Sequence, residues 1–132
     1  MADYGTRQPT EANNLPELET KVSTVFSYLV AGGEQNIYEY VTTDNNVRRF
    51  KLDLSFKNFT AGRVMTVRVW VLDVDGAYTL VDINNYTCNT VDEPNPYIEV
   101  EHYDDVLVTA EIDIVEAGNV DIERDIEVWT LE

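Results

Sequence analysis

Three aspartates gathered around one glycine, Asp73, Asp75 and Asp82 about Gly76, come nearest in this chain to a cofactor site, because a D-x-D-G string clusters hard oxygen ligands of the kind calcium takes. An EF-hand loop requires its glycine at the sixth position and a glutamate at the twelfth, and neither is present. Asp75-Gly76 reads instead as a two-residue type I′ hairpin turn, so no metal is expected there. His102 is the single histidine and is flanked by Glu99, Glu101, Asp104 and Asp105. One histidine cannot form a two-histidine zinc motif. A role in general acid–base chemistry would need a nucleophile or a cleft to serve, and the sequence offers none, so His102 reads as a loop residue near the surface.

The other candidates have plain readings too. Carboxylate pairs suited to glycoside hydrolysis can always be drawn from 25 acids, and their number makes any one pair uninformative. Cys88 stands alone, which excludes an internal disulfide, a CxxC redox pair and a cysteine zinc site. No G-x-S-x-G, phosphate-binding or dinucleotide-binding fingerprint occurs. Trp70, Trp129, Tyr28, Tyr38, Tyr40, Tyr78 and Tyr86 could build an aromatic platform for sugars, but most fall where a sandwich core would use an aromatic anyway. Asn58-Phe59-Thr60 and Asn85-Tyr86-Thr87 match the glycosylation sequon, a triplet that chance supplies often. The chain is therefore expected to hold no catalytic, cofactor-binding or metal-binding residues, and no cofactor.

Charge is more informative. The formal net charge is −16, with 14 acids against Arg124 alone in residues 92–132. In residues 1–91 the acids number 11 and the bases 8, and Arg48, Arg49, Lys51, Lys57, Arg63 and Arg68 cluster around Asp53. Phosphate backbones are steered away from so anionic a body, which argues against direct nucleic acid binding. A bipolar molecule favours charge-complementary contact between copies. Only three of nine basic residues are lysine, and with a pI near 4.1 this fits adaptation to molar salt, where the Debye length is about 3 Å. The start of the chain lacks the basic segment and apolar run of a signal peptide, and no apolar stretch approaches membrane-spanning length. Synthesis in the cytoplasm and no membrane partner are the expectation.

The elements that position these residues read as strands. Residues 1–19 are polar with Pro9 and Pro16 and read as an extended arm, leaving 20–132 as one domain. Lys21 to Val30 has both a helical stripe and β-branched alternation, and the alternation favours a strand. Ala31 to Gln35 would then be a hairpin loop and Ile37 to Thr43 its partner. Arg49 to Lys57 places Phe50, Leu52, Leu54 and Phe56 inward. Val64 to Val74 is apolar on both faces, as in a central strand covered on both sides. The Asp75-Gly76 turn would pair Val74 with Ala77, Leu72 with Thr79 and Trp70 with Val81.

Asn84 to Pro96 reads as a loop and Tyr97 to Tyr103 as a short edge strand. Residues 104–132 read as a hairpin pairing Ile114 with Ile122 and Val108 with Val128, its inner face holding Val106, Ala110, Ile112 and Ile126. In that register Asp113 faces Glu123 and Glu111 faces Asp125, a repulsion that needs salt, a cation or a basic partner. Arg124 sits unexplained on the oily face. About eight antiparallel strands without a helix give an all-β sandwich, jelly-roll-like, behind an extended N-terminal arm.

The order of the stretches FSYLVAGGEQNIYEY (26–40), LDLSFKNFTAGRV (52–64) and TVRVWVLDVDGAY (66–78), closed by Glu127-Val128-Trp129, resembles small β-sandwich structural proteins of tailed viruses of bacteria and archaea. The likeness spans roughly residues 22–131 and is a pattern of strands rather than a functional motif. It implies a non-enzymatic virion component, a capsid decoration or other surface subunit, with itself and a major capsid or other virion protein as partners. Its location would be the virion, and the host cytoplasm before assembly. The acidity would fit a virus of a salt-loving host. The alternative is a carbohydrate- or receptor-binding sandwich module.

Overall fold

The computed structural model describes residues 15–90 and 96–131. Eight strands make up its regular structure: β1 (Glu17–Tyr28), β2 (Gln35–Tyr40), β3 (Arg48–Ser55), β4 (Val64–Leu72), β5 (Tyr78–Thr87), β6 (Tyr97–His102), β7 (Val106–Ile112) and β8 (Val120–Thr130). They form two four-stranded antiparallel sheets in the orders β1-β8-β3-β6 and β2-β7-β4-β5. This interleaving of early and late strands is the jelly roll, two Greek keys folded face to face. The all-β expectation and the number of strands hold.

Alternation decides which residues fill the space between the sheets. Phe50, Leu52 and Leu54 of β3 face Met65, Val67 and Val69 of β4 across the core, all at most 2% exposed. Val106, Val108 and Ala110 of β7 and Ile122, Ile126 and Val128 of β8 complete it, as their period of two requires. Phe56 and Phe59 close one end, stacked edge to face at 5.9 Å.

Strand pairing departs from the sequence reading. The expected terminal hairpin does not form: β7 bonds to β2 and β4 in one sheet while β8 bonds to β1 and β3 in the other. Ile114, expected inside opposite Ile122, is 55% exposed in the connection. Likewise β1 and β2 share no ladder. Gly32 and Gly33, at φ +73° and +76°, turn the chain out of one sheet and into the other. Asn84–Thr87 belongs to β5 rather than to a loop, and among the described residues β4 is covered by a second sheet on its inner face only, with Trp70 and Leu72 on the other face. Of the arm expected over residues 1–19, residues 17–19 lie in β1 and residues 1–14 fall outside the described chain, as does the Pro94 region of the expected loop.

The β4–β5 hairpin forms, with a different turn. The Asp73 N–H donates to Ala77 O at 2.8 Å and the Gly76 N–H to Asp73 O at 3.0 Å, so three residues, Val74, Asp75 and Gly76, make the loop. A type I′ turn needs φ > 0 at both central residues, whereas here only Gly76 is left-handed, at +83°. The added residue pairs Leu72 with Tyr78 and Trp70 with Leu80. Val74 is left 90% exposed at the tip. Gly76→Ala is expected to cost about 1–2 kcal/mol in urea denaturation because a Cβ is strained at that φ, while Asp75→Ala, which loses one 3.2 Å bond to the Ala77 N–H, stays within about 0.5 kcal/mol.

Candidate functional site

The sheet β1-β8-β3-β6 turns its polar residues outward, and register brings opposite charges together. Lys21 pairs with Glu127, Glu127 with Lys51, and Lys51 with Glu99, a row of alternating sign across all four strands. Beside it Arg49 reaches Glu101 at 2.6 Å and Glu99 at 3.3 Å, and Lys57 reaches Glu123 at 3.1 Å. The basic partner that the acidic strand requires is therefore β3 of the same molecule. One pair breaks the pattern: Asp53 lies opposite Asp125, which accepts the Ser23 hydroxyl at 2.6 Å.

Over that pair lies a shallow hollow of about 650 Å³, lined by Lys21, Ser23, Lys51, Asp53, Tyr97, Asp125 and Glu127 among others. It continues past Asp53 and Asp125 toward Lys57 and Glu123 as a smaller hollow of about 200 Å³. Such a surface can hold water, ions and hydroxyl groups by hydrogen bonding. It lacks a histidine and a cysteine, and its hydroxyl groups are those of Ser23, held by Asp125, and of Tyr97. Tyr97, 49% exposed, is its one aromatic, and the sequence reading did not single it out.

The residues singled out for their chemistry lie apart from this hollow or are otherwise engaged. Asp73 accepts the Thr79 hydroxyl, Asp75 the Ala77 N–H, and Asp82 the Asn84 amide at 3.1 Å. Among the described residues no group of three His, Cys, Asp or Glu side chains is placed to hold a metal ion. His102 ends β6, half-buried rather than in a loop, with Nε2 at 2.8 Å from the Leu72 carbonyl and its ring against Tyr103. Cys88 is fully buried, and burial pushes its thiol up to about 12, far from a reactive thiolate.

The aromatics are dispersed. Tyr28 is buried, donating to Gly33 O at 2.6 Å and accepting the Ile112 N–H at 3.1 Å. Tyr40 stacks edge-on against Phe50, and Tyr86 tilts against Phe56. Trp70 donates to the Thr109 hydroxyl on one outer face, while Trp129 donates to Glu127 on the other. These five residues, divided between the core and the two outer faces, form no common plane for a sugar ring.

Two further polar arrangements, both missed in the sequence, arise at β-bulges, where one strand carries an extra residue against its partner. In β1 the register slips between Leu18 and Thr20, which leaves Glu19 free to aim at Arg48. Glu19 accepts Arg48 Nε at 2.8 Å, the Thr130 hydroxyl at 2.7 Å and the Tyr40 hydroxyl. Arg48 is 5% exposed and also holds Asp44 at 2.8 Å, so the cluster joins β1, β2, β3 and β8. Burial opposes ionisation of Glu19, but the hydroxyls of Thr130 and Tyr40 and the Arg48 guanidinium outweigh it and hold the carboxyl below its usual value.

In β2 the slip between Asn36 and Tyr38 frees the Ile37 carbonyl, which accepts Arg124 at 2.5 Å. Arg124 also lies over the Phe26 ring, 5.8 Å from its centroid. Desolvation pulls its guanidinium pKa below the ordinary value, and its Nε has no hydrogen-bond partner among the described residues. The arginine that the hairpin reading left unexplained on the oily face thus lies on that face and bridges the two sheets.

The outer face of the second sheet differs sharply from the first. Trp70 pairs with Leu107 on one side and Leu80 on the other, with Leu72 and Tyr78 in the next row. Leu80, Val81 and Ile83 are 40–50% exposed along the β5 edge. Arg68, held by Glu111 at 3.0 Å and Glu34 at 3.6 Å, borders this apolar patch.

No family model and no curated protein matches the chain. Among solved structures it is similar to VP2 of infectious bursal disease virus in its subviral particle, with a TM-score of 0.53 and 10% identity over 88% of this chain. The chain spans only 33% of that VP2 chain. The Gt strain of the same virus gives a TM-score of 0.48 at 10% identity, covering 88% of this chain and 33% of that one. The CBM22-1–GH10 modules of Clostridium thermocellum xylanase 10B, complexed with xylohexaose, give 0.42 at 9% identity, covering 82% and 24%. Only the first of these exceeds 0.5, and at 10% identity it bears on the fold: a viral particle protein contains the same arrangement of strands.

Two outcomes test the electrostatics. Lys51→Glu places a third acid between Glu99 and Glu127 and is expected to cost about 1–2 kcal/mol at low salt, with much of the loss recovered near 1 M salt, where screening acts within about 3 Å; urea titrations at both salts measure it. Because the folded-state pKa of Glu19 is depressed, its contribution is present above the unfolded value of 4.5 and is lost as pH falls through the lower folded value. Thermal melts of Glu19→Gln are expected to lie below wild type at pH 7 and to converge with it below pH 4.5.

Proposed function

We propose that this chain is a non-enzymatic virion structural protein, a capsid decoration or other surface subunit that binds copies of itself and the shell of a tailed virus. The observation that carries this reading is the pairing of a jelly roll with two unlike outer faces, one charged, with acids and bases side by side across its strands, and one apolar along an edge strand. A surface subunit needs a solvated side and a side that meets protein. The VP2 chain, with the same strand arrangement in a subviral particle, supports the reading at the level of fold.

The hollow over Asp53 and Asp125 offers polar contacts, with its Ser23 hydroxyl engaged by Asp125. A net charge of −16 disfavours phosphate backbones and fits a salt-loving host. No helix among the described residues is long and apolar enough to cross a membrane. The glycan-binding alternative needs coplanar exposed aromatics, whereas Tyr28, Tyr38, Tyr40 and Tyr86 pack at or against the core.

Density-gradient-banded particles of the virus that encodes the chain provide the test. Quantitative mass spectrometry is expected to find the protein in the particle band at a copy number comparable to that of the major shell protein. Particles lacking it are expected to assemble and to lose infectivity at lower temperature. Its absence from the band, with the protein recovered only from the infected-cell lysate, would overturn the reading.

A further inference from the structure

The second sheet ends in β5, ten residues long, hydrogen-bonded to β4 on one side and, among the described residues, to no strand on the other. Residues 78–85 are all exposed. An open edge of this length is ordinarily blunted by lysine, proline or several charges. In β5 the single charge is Asp82, against two acids in the six residues of β6 at the opposite edge of the molecule. On a body of net charge −16, β5 is where a second copy meets the least repulsion.

Its bulge makes the strand self-complementary. Trp70 pairs with Leu80 and Arg68 with Ile83, so Leu80 and Ile83 both lie on the outer face although they are three residues apart, an odd spacing that a regular strand would split between faces. Val81 is the extra residue that shifts the phase. We propose that two copies join through antiparallel β5 strands about a two-fold axis, Leu80 of each opposite Ile83 of the other, making one continuous eight-stranded sheet.

In that register Thr79 meets Asn84 and Tyr78 meets Asn85, and each Asp82 meets Val81 rather than the other Asp82. The apolar row Leu107–Trp70–Leu80 continues onto Ile83 of the second copy. A register one residue away would set outer residues against inner ones along the whole strand. A ten-residue strand is about 33 Å long, and covering it with the patch beside it approaches the ~600 Å² per copy at the lower end of stable interfaces. The interface is isologous, so it closes at two copies. The inference rests on the self-association in the proposed function and adds to it the surface and the register.

Sedimentation velocity and light scattering on the purified chain, at low salt and at about 1 M salt, are the test. Wild type is expected at twice 15.1 kDa, tighter at high salt. Leu80→Lys is expected to weaken the dimer at least tenfold. The double variant Leu80→Lys/Ile83→Glu is expected to regain it, because the new cation of each copy faces the new anion of the other. Circular dichroism melts establish that both variants fold. A wild-type dimer that Leu80→Lys leaves intact, or that the double variant fails to restore, would overturn the surface while leaving self-association standing. A monomer at every salt would overturn both, and the particle-band experiment would still report on the virion role independently.

Discussion

Most of this structure follows from one constraint: acidic side chains that stand opposite one another across strands destabilise the pairing. Residues 92–132 carry 14 acids and one base, and any topology that paired these residues with each other would accumulate like-charge contacts costing roughly 0.2–1 kcal/mol each. The jelly roll removes the difficulty by separating β7 from β8 into opposing sheets. Each then lies beside strands from the first half of the chain, where the bases are. Glu123 meets Lys57, Glu127 meets Lys51, and Glu111 meets Arg68. Fold and charge distribution are thus two descriptions of one solution, with Asp53 and Asp125 the remaining like-charge pair.

Bulges do the finer placement. Those in β1, β2 and β5 lie in edge strands, where an extra residue disturbs one ladder rather than two. The first swings Glu19 onto a buried arginine, the second exposes a carbonyl to a guanidinium that would otherwise be stranded between the sheets, and the third brings Leu80 and Ile83 to one face. None adds hydrophobic area. Each resolves a polar or apolar group that strict alternation would have left on the wrong side.

What was legible in the sequence was local. Period-two alternation identified the inward residues of β3, β7 and β8, because a side chain's face depends only on its own strand. Pairing was not legible, since alternation names the face and says nothing of the neighbour. Val106–Ile112 and Val120–Thr130 are consecutive and patterned alike, and adjacency suggested a hairpin that the charges oppose. The Asp75-Gly76 pair was found, yet its turn type depended on one residue's φ. Glu19 and Arg124 were hidden for the same reason: a bulge is an interruption of the pattern used for reading.

The longest ladder joins the two ends of the described chain, running from Glu17 opposite Thr130 to Tyr28 opposite Val120. Contacts of such sequence separation are the slowest to form, because loop-closure entropy is lost before any pairing rewards it. During synthesis β1 must wait, unpaired and rich in β-branched residues, until β8 has left the ribosome. Chaperone demand and the risk of premature aggregation therefore fall on nascent β1, and the emergence of β8 decides when it becomes safe.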